Sequence, residues 1–137
     1  METSVMEYAE VYAVEHHEIG LSNNRIIDAV YVRQTDAKID AARKQRDSTT
    51  SESAWGVVEW SVTSLLQLPK KVSMLFVVYE SDARGIRPVS LYAVEQLAQL
   101  RNRELEHRER IRRMTVELAG EHTDAICHWW EVCPIVQ

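Results

Sequence analysis

Glu104 and His107 stand three residues apart, a spacing that puts a carboxylate and an imidazole on one helix face and supplies half of a helix-bundle di-iron site. The other half is missing, since the chain has no second E-x-x-H. The pair reads better as a polar contact that fixes register between helices. His122, Asp124, Cys127, His128 and Cys133 crowd the C-terminal segment with zinc-ligand types, but their spacings match no zinc motif. His16-His17, bracketed by Glu15 and Glu18, reads as an exposed polar patch at an element end. We therefore expect no metal and no cofactor.

Phosphate-binding and nucleophile signatures are also missing. There is no G-x-x-x-x-G-K-[ST], G-x-G-x-x-G, G-x-S-x-G or H-E-x-x-H, and with four Gly in 137 residues a loop that wraps phosphate in backbone amides is not expected. A non-enzymatic protein follows. Within residues 12–32, Ile19-Gly-Leu-Ser-Asn-Asn-Arg-Ile26 carries half of a helix-turn-helix pattern, with Asn23, Asn24 and Arg25 as candidate base readers. Against it, His16 stands where a close helix crossing wants Ala, and Asp28 would face phosphates.

Four Trp favour a protein-binding role. On helices, Trp60 would lie off the Trp55/Val58/Val62 stripe, and adjacent Trp129 and Trp130 would point about 100° apart. At least one ring is then expected to face outward, exposed or in an interface, where Trp and Arg are enriched.

The net charge of −5 disfavours non-specific nucleic-acid affinity, but it is unevenly placed. Residues 1–32 are acidic, and Glu7, Glu10, Glu15 and Glu18 on one exposed face would suit an inhibitor that occupies a partner's cationic groove. Residues 84–113 are rich in Arg. The N-terminus lacks the features of a secretory signal, and the two Cys lack C-x-x-C spacing, so a reducing, cytoplasmic setting is expected.

The elements that must position these residues read as a compact, mainly α single domain spanning 1–137. With 45% apolar residues and few Gly or Pro, helices joined by a few loops are favoured over a sheet-rich fold. The capping box Ser4-Val-Met-Glu7 opens a helix over about 4–18, and Ser22 caps a second running to about Arg46. Thr49-Thr-Ser-Glu52 opens a third over about 51–67. Residues 72–80 form a dense β-branched and aromatic run, the candidate buried strand. The alternative is an α+β fold with 5–14 paired to 72–80. A long helix follows over about 90–119, then a short one over Glu121 to Val132. No internal repeat is visible.

On the long helix Ala93, Leu97, Leu100, Ile111, Met114 and Leu118 keep heptad spacing, with Glu104 and His107 at the two seam positions between Leu100 and Ile111 and Arg108 beside them. Some thirty residues span roughly 45 Å, more than the roughly 37 Å diameter of a chain this size, so the helix overhangs, kinks or pairs with a second copy. The functional expectation is a homo-oligomeric regulatory or inhibitor protein that binds an unidentified protein partner through Leu97, Leu100, Glu104, His107, Arg108, Ile111, Trp129 and Trp130. A chelator should leave its melting temperature unchanged, and stoichiometric metal in elemental analysis of the purified protein would contradict this.

Overall fold

In Val11-Tyr-Ala-Val-Glu-His-His-Glu18 apolar residues occupy both parities of a two-residue alternation, the pattern of a strand covered on both faces. The computed structural model describes residues 7–20, 23–48, 53–64 and 74–136, and has a strand here, β1 (Glu7–Glu18). It is followed by β2 (Asn24–Tyr31), α1 (Gln34–Asp47), β3 (Ser53–Ser64), β4 (Met74–Asp82), β5 (Gly85–Tyr92), α2 (Glu95–Leu118) and β6 (Cys127–Val136). The strands close into a barrel in the order β1-β2-β6-β4-β5-β3.

The mainly α expectation is therefore overturned. The helices expected at 4–18 and 51–67 are strands wherever they are described, and the second helix begins only at Gln34. Inward residues Val11 and Ala13 join the barrel core, while outward Tyr12, Val14, Trp55 and Val57 pack against Ala37 and Ala41 of α1. With both faces covered, the apolar residues fall three or four apart as readily as two, and the period is masked. The alternative α+β pairing also fails, because β1 pairs with β2 and β3, and β4 with β5 and β6. The caps read at Ser4, Ser22 and Thr49 lie outside the described residues. No helix among the described residues is long and apolar enough to cross a membrane.

The barrel repeats a ββαβ topology, although no repeat is visible in the sequence. In each half an antiparallel hairpin is followed by a helix and a third strand, which returns antiparallel beside the first. Superposing the registers aligns Val11-Tyr-Ala-Val-Glu15 with Leu75-Phe-Val-Val-Tyr79. Each hairpin carries a register shift at the same place, Val14/Glu15 and Val78/Tyr79. Tyr31 and Tyr92 end the second strands, and Ala37 and Ala98, both wholly buried, seat the two helices. Small residues there let each helix backbone approach the barrel closely.

The halves are joined at two seams. β2 runs parallel to β6 through Val30/Ile135 and Tyr31/Val136, and β5 runs parallel to β3 through Leu91/Val62 and Tyr92/Thr63. One further amide extends each ladder, Val32 to the Val136 carbonyl and Ala93 to that of Thr63. Beyond these short ladders other groups must meet the backbone. The Tyr79 hydroxyl accepts from the Ile27 amide at 3.1 Å, and its ring stacks on Trp129. Burial pushes this phenol up to about 12.

At the matching place in the other half stand Glu15 and Pro88. Pro88 has no amide to offer, and Glu15 turns to its own half. Arg25 donates to its Oε1 from Nε at 3.0 Å and from an Nη at 2.8 Å, and Trp60 Nε1 donates to Oε2 at 2.8 Å. The carboxylate is fully buried, whereas Arg25 keeps 39% of its side chain exposed. One barrel end is tied by the Asn23 amide, which donates to the Arg84 carbonyl, and by Asn24 Oδ1, which accepts from the Ile86 amide. Gly85 sits in this contact at φ 136°, where a Cβ would lie 1.9 Å from the Asn23 carbonyl oxygen.

The asymmetry of the Glu15 pair sets an order of mutational costs. Arg25→Ala leaves the buried Glu15 carboxylate with only Trp60 and His17 beside it and should cost about 3–5 kcal/mol. Tyr79→Phe orphans one buried amide and should cost about 1–3 kcal/mol. Urea unfolding of both variants checks this, and an Arg25→Ala cost below that of Tyr79→Phe would contradict it.

Candidate functional site

Residues 95–118 contain neither Gly nor Pro and are dominated by Leu, Arg, Glu and Gln, good helix formers, so the segment carries 24 residues of unbroken helix, ~36 Å long. Ala98, Asn102 and Leu105 meet the barrel, packing on Val78, Tyr92 and Trp130 or buried beside them. The return segment is drawn to the same side. Glu109 accepts from Arg112 Nε at 2.6 Å and from the Ile126 amide at 2.7 Å, and Arg112 also donates to Thr123 Oγ1 and the Asp124 carbonyl. The Arg112 guanidinium holds the Glu109 carboxyl below the usual carboxylate range.

With chain contacts gathered on that side, the opposite side is left open. At ~100° per residue, Leu100, Glu104, His107, Ile111, Met114 and Leu118 lie between about 160° and 240° round the helix from Ala98. All six are exposed, Leu100, Ile111, Met114 and Leu118 by 57%, 52%, 60% and 86%. Two pairs of arginines border this stripe. Arg101 and Arg108 lie on one edge, both paired to Glu104, at 3.0 Å and 2.5 Å. Arg103 and Arg110 lie on the other, with no ion pair among the described residues.

Beneath that second edge lies an open pocket of about 420 Å³ lined by Glu106, Glu109, Arg110, Ile126, Cys127 and His128. The His128 side chain is 5% exposed, its Nε2 is 4.0 Å from Glu80 Oε2, and its Nδ1 is buried without a hydrogen-bond partner among the described residues. Cys127 is exposed at the pocket, whereas Cys133 is buried in the barrel core, which pushes its thiol up to about 11.

Compared with known protein families, curated proteins and solved structures, the chain matches none of them.

The structure brings most of the residues singled out in sequence onto one surface. Leu100, Glu104, His107 and Ile111 form the exposed stripe and Arg108 borders it, but Leu97 is half-buried against the barrel. Trp129 and Trp130 are on a strand, so they point to opposite faces rather than about 100° apart. Trp129 packs on the barrel core and Trp130 beneath α2, both half-buried, which corrects the expectation that one ring faces outward. The expected helix-turn-helix over 12–32 is the β1–β2 hairpin, and Asn24 and Arg25 are engaged in ties within the barrel. The continuous acidic face does not form either, because Glu15 is buried.

Sequence reasoning missed the second arginine edge and the pocket. The edge had a visible signal, since Arg101/Arg108 and Arg103/Arg110 are each seven residues apart. The pocket had none, because it depends on β6 returning beneath α2. Among the described residues no group of three His, Cys, Asp or Glu is placed to hold a metal ion.

The two thiols should separate cleanly. At pH 8 a thiol reagent should modify Cys127 in the folded protein and reach Cys133 only on unfolding, as peptide mass mapping would show. Equal modification of both in the native protein would contradict the placement of Cys133 in the core.

Proposed function

We propose that this protein is a non-catalytic binding protein that docks a protein partner on the outer face of α2. The observation that carries the reading is the stripe Leu100, Ile111, Met114 and Leu118, directed away from the barrel that the same helix covers with its other side. Four large apolar side chains exposed along one helix face and rimmed by polar ones have the composition of a docking surface. Its ionic edges add specificity and speed of encounter more than affinity.

Ile111→Asp with Met114→Asp tests this without touching the core. The double variant should melt close to the unmodified protein, since exposed positions away from core features usually change stability by about 0.5 kcal/mol or less. A protein captured from the native host by the unmodified chain, purified and recombined with it, should protect residues 100–118 from hydrogen exchange and bind the variant at least about tenfold more weakly. Equal binding to the variant, or protection confined to the barrel, would overturn the reading.

A further inference from the structure

We propose that the occupant of this face is an acidic amphipathic helix of a partner protein, its apolar side chains laid along Leu100, Ile111, Met114 and Leu118 and its carboxylates meeting Arg103 and Arg110. This rests on reading the outer face of α2 as a docking surface. A helix is the shape that matches a straight stripe with anchors three, four and seven residues apart.

Charge decides what kind of helix. Arg101 and Arg108 already share Glu104, so the cationic edge without internal partners is the one carrying Arg103 and Arg110. A second copy of this chain fits poorly. Antiparallel contact through the stripe sets the Arg103/Arg110 edge against its own equivalent, and parallel contact sets it against Arg101 and Arg108. Parallel contact thus opposes like charges, and antiparallel contact centred on Arg110 sets Arg110 against its own copy, although Glu117 on the same edge then meets Arg103.

A lipid surface fits less well than a protein. Glu104 and His107 sit in the middle of the stripe, and acyl chains would strip water from Glu104 and its two arginines and leave His107 without hydrogen-bond partners. A helix from another protein can supply them.

Two synthetic helical peptides of three heptads test the proposal. Both carry Leu at the inner positions, one with Glu and the other with Lys at every flanking position. By fluorescence anisotropy at low salt, the Glu peptide should bind the full-length protein at least about tenfold more tightly than the Lys peptide, and lose affinity as salt rises. Arg103→Glu with Arg110→Glu should invert that preference, Ile111→Asp should weaken both peptides, and the bound Glu peptide should slow alkylation of Cys127.

Equal binding of the two peptides, a preference for Lys, or no binding of either would overturn the acidic occupant. A dimer in light scattering that Ile111→Asp dissociates would also overturn it, making a second copy the occupant while leaving the docking surface intact. The docking reading itself fails if a reconstituted partner binds the Ile111→Asp, Met114→Asp variant equally well or protects some other part of the chain.

Discussion

Closure of the barrel through two short parallel seams is the constraint on which the rest of the structure depends. A ββαβ unit alone is a three-stranded sheet with one helix, and its inner face would remain in water. Two such units bury Val11, Ala13, Ile27, Val62, Leu75, Val77 and Leu91 against one another only if the second strand of each reaches the third strand of the other. Full closure also removes the sheet edges that would otherwise template association. Each seam provides two register pairs, so side chains take over where the ladders stop. Tyr79 meets the Ile27 amide at one seam, and at the other Pro88 removes the need. Glu15 is thereby released to gather Arg25 and Trp60 within its own half.

The two halves keep their packing logic and diverge in what they expose. α1 has 14 residues, and its buried Asp40 pairs with Arg43 and Lys44, while Lys44 also bonds Asp28 and lies over the Trp55 ring. α2 has 24 residues, and its surplus length brings apolar side chains to the side the barrel does not use. The long connection back to β6 would have covered that side had it crossed the helix. Instead Glu109 and Arg112 hold it beneath. Ile111, Met114 and Leu118 of the stripe lie in this extra length, whereas Leu100 lies in the shared part, where its α1 counterpart Ile39 is also exposed.

Much of this helix was legible in sequence, because its heptad spacing survives whether the stripe faces a core or solvent. What sequence could not convey was which side met the fold, since Leu100 and Leu105 are equally apolar. The barrel was hidden for a related reason. Val57 and Val58 both find apolar neighbours, one under α1 and one opposite Ala13 inside, so β3 lost the alternation that marks a strand. The repeated topology was hidden by its spacing as well as by its differing residues. First strands match 64 residues apart and second strands 61 apart, because the β4–β5 turn is three residues shorter than the β1–β2 connection. No single period would align them. Glu15 was read as part of an acidic surface, since its burial depends on Arg25 and Trp60, ten and forty-five residues away.

The orientation of α2 carries the functional account, and a nitroxide scan along it measures that orientation directly. Single cysteines would be introduced in turn at residues 98, 100, 102, 104, 105, 107, 111, 114 and 118 of a Cys127→Ser, Cys133→Ala background, and side-chain mobility read by electron paramagnetic resonance. The account predicts mobile labels at 100, 104, 107, 111, 114 and 118 and immobilised ones at 98, 102 and 105 in the free protein. Immobilised labels along 100–118 with mobile ones at 98, 102 and 105 would mean that the apolar stripe faces the fold, and would contradict it.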